Sequence, residues 1–293
     1  MHVFVTGGSG LIGSAVVAEL LANGHTVLAL ARSDAAESAL RNLGAETIRG
    51  ALADLDAVRR GAGKSDGVIH LAFRNDFSSQ ETLAAAVAEE SAALIAVGEE
   101  LIGSNRPLVT VSGTPYAPGR LSTEADPLPT DGPVGGRGVS VSTSLALASQ
   151  GVRTAAVRLP RTVHINGTGG FAGLLTAIAR RTGVSGYPGD GTQRWPAVHA
   201  LDAAVLFRIA LEKAPAGSSW HAVADAGVAV RDIAAVIGRR LGVPVESVPA
   251  ETFGTLGPIF ELDQPSSSAV TRQELRWQPR HPSLLEDLEA IRP

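Results

Sequence analysis

The stretch VFVTGGSGLIGSAVV, residues 3–17, sets Gly7, Gly8, Gly10 and Gly13 between a β-branched run and an amphipathic one. A strand that passes through glycines into a helix leaves the first N–H groups of that helix unpaired and pointing outward, where an anionic phosphate can accept from them. On this reading Gly7 permits the tight turn, Gly10 lets phosphates approach the backbone, and Gly13 lets the helix pack close to the strand. Thr6, Leu11 and Ile12 belong to the same cradle. The alternative is a tight turn that binds nothing.

The context favours the cradle. Short apolar runs (HVFVTG, TVLALA, ETIRG, DGVIHLAF) alternate with helical patterns near 11–23, 34–43 and 54–62. That rhythm predicts βαβ units and a parallel sheet. A long Ala- and Glu-rich helix near 78–103 follows, then LVTVSG, a Gly/Pro-rich loop from Thr114 to Gly136, a helix near 138–150 and VRTAAVRLP. Six strands of an open, doubly wound sheet are expected. Beyond residue 160 the rhythm breaks into a glycine-rich loop at 166–170, helices near 171–182, 200–213 and 230–241, and proline-punctuated segments. The predicted organisation is a dinucleotide-binding domain over 1–160, with a return segment at about 194–225, and a smaller substrate lobe made of 161–193 and 226–293.

The end of the second strand selects the nucleotide. An acid there would bind a ribose 2′-hydroxyl, whereas an Arg would accommodate a 2′-phosphate. The sequence reads LALARSDAAE, with Arg32 and Ser33 where the acid would fall. NADP is therefore expected, and Asp34 keeps NAD possible. In the competing reading Arg32 is solvated and Asp34 with Glu37 caps the next helix.

Composition removes several classes. The formal net charge is −4 with no Lys/Arg block, which argues against nucleic acid or an anionic membrane as partner. Cysteine is absent, so disulfides, thiolate nucleophiles and cysteine metal sites are excluded together. No metal-ligand spacing is evident among the seven scattered histidines. With Met1 almost directly against the first strand and no apolar run long enough to span a membrane, a cytoplasmic chain, monomeric or homodimeric, with a small-molecule substrate is expected.

TGGSGLIG, ADL at 53–55, HLAF at 70–73, VTVSGT at 109–114 and WPAVHALDAA at 195–204 occur in the order and spacing of the extended short-chain dehydrogenase/reductase family. The chain resembles its NAD-dependent epimerase/dehydratase branch and atypical relatives over most of its length. The resemblance implies an α/β chain with a doubly wound parallel Rossmann sheet and a smaller C-terminal lobe. It implies that Asp54 and Leu55 edge the adenine, and that His70, Leu71, Ala72 and Phe73 pass beside the nicotinamide ribose, with Pro160 on the nicotinamide side. It also implies that Thr114, with Ser112 as the neighbouring candidate, is the hydroxyl facing the substrate carbonyl.

The chain departs from the family at one motif. The family's Tyr and Lys, spaced Y-x-x-x-K, pass a proton to the substrate oxygen and hold the ribose. In the matching helix Arg137 stands at the Tyr position and Val141 at the Lys position. The two tyrosines, Tyr116 and Tyr187, are followed four residues on by Arg120 and Gly191, and the only lysines are Lys64 and Lys213, so the motif occurs nowhere in the chain. Losing a general acid removes roughly 10²- to 10⁴-fold in rate but not the nucleotide site. Tyr116 and His164 are the possible substitutes, each with a plain alternative as a packed loop residue. Arg137, always protonated, would stabilise an oxyanion or clamp a phosphate, or else merely start a helix. His199 and Asp202 invite a dyad reading but align with a lobe junction. Trp195 and Phe171 either line an apolar pocket or belong to the core. The expectation is an NADP(H)-dependent oxidoreductase acting on a small organic carbonyl or related double bond. Its rivals are a catalytically silent NADP(H) sensor and a sugar-nucleotide epimerase or dehydratase.

Overall fold

The computed structural model describes residues 1–74, 79–130 and 135–292. Residue 78 of the predicted long helix, residues 131–134 of the predicted loop and residue 293 of the predicted lobe lie outside the described residues. The strands are β1 (His2–Thr6), β2 (Thr26–Ala31), β3 (Glu46–Arg49), β4 (Gly67–His70), β5 (Pro107–Gly113), β6 (Arg153–Leu159), β7 (Thr162–His164), β8 (Ser185–Pro188), β9 (Arg194–His199), β10 (Ser218–His221), β11 (Asp225–Ala229) and β12 (Val245–Val248). The helices are α1 (Leu11–Ala22), α2 (Asp34–Leu43), α3 (Leu55–Gly63), α4 (Gln80–Leu101), α5 (Gly135–Ala146), α6 (Gly170–Thr182), α7 (Ala200–Lys213), α8 (Val230–Leu241), α9 (Gly257–Phe260), α10 (Ala269–Glu274) and α11 (Leu284–Leu288).

The central sheet is parallel throughout, in the order β10-β6-β5-β4-β1-β2-β3. Its strand order reverses between β1 and β4, which is where such sheets open a crevice at their carboxyl ends. Strand alternation divides the core. Val3 and Val5 face the layer of α1 and α7, while Phe4 faces the layer of α3 and α4. A third apolar cluster, holding Leu175, Trp195, Ile233, Phe253, Phe260 and Leu288, fills the smaller lobe, whose strands form a β11-β9-β7 sheet and a β12-β8 pair.

Two differences from the sequence expectation have physical causes. The sheet has seven strands rather than six, because β10 joins the β6 edge; SSWH is too short and too polar at its start to display a strand period. The predicted 138–150 helix begins at Gly135 and ends as a 3₁₀ turn over Leu147–Gln150. Glycine is a poor helix former, yet close packing requires it here: a Cβ on Gly138 would lie 1.9 Å from the Pro129 carbonyl oxygen.

The glycine turn is packed backbone against backbone. A Cβ on Gly13 would lie 2.0 Å from the Gly7 carbonyl oxygen, whereas one on Gly10 would meet nothing nearer than 3.5 Å. Gly13→Ala should therefore lower the urea unfolding midpoint by the equivalent of about 3 kcal/mol, and Gly10→Ala should leave it near the parent value. A Gly13→Ala protein as stable as the parent would refute the close-packing account.

Candidate active site

The turn after β1 has the geometry of an anion cradle. Gly7 adopts φ +72°, and a Cβ there would collide with the backbone of Leu71 and Ala72 at 2.8 and 2.7 Å. Glycine at this position lets the turn lie directly on the chain leaving β4. Gly10 caps α1 without any side-chain bond, so the first N–H groups of the helix receive no acceptor from a cap. The space beside Gly10 is what a Cβ would fill and an oxygen-rich ligand could use. Leu11 is exposed, and Ile12 packs at the edge of the main core.

Around this turn the strand ends converge. Thr6 is paired with His70 in the sheet, its hydroxyl lies 3.1 Å from His70 Nδ1, and it accepts from the Ala72 amide at 3.3 Å. His70 is buried, and burial, aided by the nearby Arg137 cation, pushes it down to about 4. It is neutral at physiological pH. At the end of β5 the Ser112 and Thr114 hydroxyls are buried and, among the described residues, have no hydrogen-bond partner. Buried hydroxyls are normally bonded, so these two are open to solvent or to a ligand. The Thr114 backbone is held from both sides, its N–H donating to Leu159 at 2.9 Å and its carbonyl accepting from Gln264 Nε2 at 2.7 Å. Pro160 follows directly and is buried. Tyr116 stands two residues on with its side chain 48 % exposed.

Arg137, matched in the sequence to the family's Tyr, is held in an ion pair. Arg137 donates through Nε and Nη2 to the two oxygens of Glu90, at 3.0 and 2.8 Å, and its guanidinium lies 4.0 Å from the centre of the Phe73 ring. Glu90 is 1 % exposed, and burial raises its carboxyl although Arg137 pulls the other way. Val141, matched in the sequence to the family's Lys, is fully buried. Glu90 is the site residue that sequence reasoning missed. Its signal was nonetheless present, since it falls on the apolar stripe Leu83, Ala86, Ala93, Val97 and Leu101 of α4, where an unpartnered carboxylate would be costly.

At the β2 end, Arg32 is exposed and, among the described residues, held by no ion pair. Ser33 is the cap of α2, accepting from the Ala36 amide at 3.2 Å. The competing reading of Asp34 with Glu37 as the cap is thus not what the structure has: both acids hold Arg49, at 2.6 and 3.3 Å. Asp54 caps α3 through the Ala57 amide at 3.0 Å, with Leu55 as the first helical residue.

His164 sits elsewhere. It is fully buried with Nδ1 3.1 Å from Asp287, and no hydrogen bond joins it to Ser112 or Thr114. Asp287 also accepts from the amides of Asn166 and Gly167, both at 2.9 Å, so α11 clamps the loop after β7. The dyad reading of His199 and Asp202 is corrected. Asp202 is taken by the amides of Arg280 and His281 and by the His281 ring, and His199 stacks on His281 at 4.8 Å. Phe171 and Trp195 belong to the aromatic cluster of the smaller lobe, 5.5 Å apart edge to face. Among the described residues no helix is long and apolar enough to cross a membrane, and no His/Asp/Glu group is arranged to hold a metal.

A doubly wound parallel sheet with a glycine turn at its switch point and a smaller lobe beyond the strand ends defines a dinucleotide-type α/β protein. The model of the NAD dependent epimerase/dehydratase family matches residues 3–223, and the chain belongs to that family. An uncharacterized protein of Schizosaccharomyces pombe is 44 % identical over 98 % of both chains. A 4-hydroxy-2-methyl-3-oxo-4-farnesyl-3,4-dihydroquinoline-1-oxide ketoreductase of Stigmatella aurantiaca is 26 % identical over 84 % of this chain and 75 % of its own. Among solved structures, MoeE5 in complex with UDP-glucose and NAD superposes with a TM-score of 0.80 at 22 % identity, covering 99 % of this chain and 97 % of that one.

The neutral His70 couples stability to pH. Unfolded, it binds a proton near pH 6.5, but folded it does so only near 4. Between these values the unfolded chain holds the extra proton, so His70's contribution is complete above about 6.5 and is lost as pH falls toward 4. The slope is about 1.4 kcal/mol per pH unit. Unfolding free energies of the parent and His70→Asn, measured from pH 7 to 4.5, should converge as pH falls. Parallel profiles would show that His70 does not titrate in this way.

Proposed function

We propose that the protein is an NADP(H)-dependent oxidoreductase that reduces the carbonyl of a small organic molecule. The observation that carries this reading is the pair of buried hydroxyls at the end of β5 that have no partner among the described residues, two strands from a glycine turn that is open at Gly10. The residues of this chain would hold the cofactor through the N–H groups opening α1, through Arg32 at the 2′-phosphate, and through the Thr6–His70–Ala72 strand ends. When bound, the nicotinamide supplies the hydride. Thr114, with Ser112 behind it, orients the substrate oxygen, and its fixed peptide leaves only the side-chain rotamer to adjust. The proton comes from Tyr116 or an ordered water, since neither the family's Tyr nor its Lys exists here. Arg137 would stabilise negative charge near Phe73 through Nη1, since Glu90 takes its Nε and Nη2. The ketoreductase relative lends this reading support.

A second reading, a silent NADP(H) sensor, is favoured by one observation: the slot of the family's acid is closed by the neutral Arg137–Glu90 pair. Epimerase or dehydratase chemistry relies most on the missing Tyr and fits less well.

Arg32→Ala should weaken NADPH by about 1.5–3 kcal/mol, roughly tenfold or more, and leave NADH nearly unchanged in calorimetric titrations. Equal losses for both nucleotides, or a parent that prefers NADH, would overturn the NADP assignment.

Thr114→Val removes the hydroxyl at nearly constant volume. It should lower kcat/KM at least about tenfold with cofactor affinity preserved. Absence of turnover across a panel of ketones, aldehydes and enones, together with a nucleotide-dependent affinity for another protein, would favour the sensor instead.

A further inference from the structure

Arg161 stands two residues beyond the end of β6, is partly buried and, among the described residues, has no carboxylate partner. Its Nη1 donates to the Ile259 carbonyl at 3.0 Å, while its Nε is buried without an acceptor. The guanidinium lies 5.3 Å from the Phe171 ring and 6.0 Å from the Trp195 ring. Trp195 is fully buried and its indole N–H likewise has no acceptor. Thr162, next along the chain, pairs with Ala197, which puts its orphaned hydroxyl on the face of the small sheet that carries Trp195.

Three donor atoms in this part of the molecule, Arg161 Nε, Trp195 Nε1 and the Thr162 hydroxyl, thus lack an acceptor among the described residues. Buried cations are normally paired, and buried donors are normally satisfied. Burial alone pulls Arg161 down to about 10, with no neighbouring acid to restore it. The contrast with Arg137, which is matched by Glu90, is direct. The location also matters. Leu159, two residues before Arg161, accepts the amide of Thr114, so the cation is tied through β6 to the hydroxyl assigned to the substrate oxygen.

We infer that Arg161, with the Trp195 indole and the Thr162 hydroxyl, forms a subsite for a carboxylate of the substrate, making the substrate an oxo acid rather than a neutral ketone. This rests on the reductase reading for its reaction but not for its binding. One cation among aromatic rings balances a single negative charge. A diphosphate would leave surplus charge buried there, so a carboxylate is the better match. Arg presents its N–H groups in the planar fork that a carboxylate accepts. Arg161 is a binding residue, and the hydride and proton steps do not pass through it.

Two measurements on the full chain test the subsite. In the first, NADPH oxidation is followed with pairs of 2- and 3-oxo acids and their methyl esters. The parent should favour the acids by at least tenfold in kcat/KM. Arg161→Met should raise KM for the acids at least tenfold and leave the esters unchanged, and Arg161→Lys should recover part of the preference. A parent indifferent between acid and ester, or an Arg161→Met protein that loses both equally, would overturn the subsite while leaving the reductase reading intact. In the second, benzoate and benzamide are titrated calorimetrically into the parent and into Arg161→Met, with folding checked by circular dichroism. Benzoate binding that is lost in Arg161→Met supports the subsite even if no substrate turns over. A parent that binds neither compound, or both alike, would show that the orphaned donors are satisfied by water alone, and the proposal would fall.

Discussion

The contact on which the rest of this molecule depends is between two stretches of main chain, Gly13 at the first turn of α1 and the Gly7 carbonyl, where even a methyl group has no room. Because the helix can approach that closely, its N-terminus points at the crevice where the strand order reverses. A second close contact, Gly7 on Leu71 and Ala72, binds the turn to the end of β4 and brings Thr6 within reach of His70 and the Ala72 amide. At Gly10, whose N–H donates to the same Gly7 carbonyl at 3.1 Å, a Cβ would by contrast meet nothing nearer than 3.5 Å. Two glycines are thus demanded by packing, and the third keeps a space open.

Charge in the interior is handled in two ways. Arg137 is a cation that would be costly on its own, and α4 supplies it a buried carboxylate with bidentate geometry and Phe73 a ring face. The pair is neutral as a unit, yet its cation still reaches His70 and helps keep that ring uncharged. Arg158, which is buried, is met by the carbonyls of Glu124 and Asp126 at 3.2 and 2.7 Å and lies within the field of both acids. Arg161, partly buried, has one such carbonyl and no acid acting on it, and the Nε of each is without a partner among the described residues. Three arginines therefore differ in how far the protein itself balances their charge.

The first half of the fold was legible because each of its signals is local. Alternating runs mark the strands, and the Gly7, Gly10 and Gly13 spacing marks the turn. Glu90 was legible in principle, as a charge on an apolar helical stripe, but its partner lies 47 residues away on another helix and no local pattern joins the two. β10 was hidden because an edge strand of four residues needs only its neighbour's hydrogen bonds, not an apolar period of its own. Asp287 was invisible for the same reason on a larger scale: its role is to accept two amides some 120 residues upstream, and nothing in SLLEDLE distinguishes that aspartate from the acids around it.

These long-range bonds join the lobe to the site. Gln264 grips the Thr114 carbonyl from the C-terminal segment, and the buried Ser122 and Ser266 hydroxyls meet at 2.7 Å in the same region. On the other side, Asp287 fixes the Asn166–Gly167 turn, and the loop it fixes continues to Gly169, where a Cβ would stand 3.1 Å from the Leu11 side chain at the mouth of the glycine cradle. The C-terminal segments therefore hold both the hydroxyl at the end of β5 and the loop against the start of α1. Without the C-terminal segment Thr114 would be held from one side only, through its N–H to Leu159. In this molecule the smaller lobe is part of the site's scaffold, because the backbone groups that set the site's geometry find their partners there.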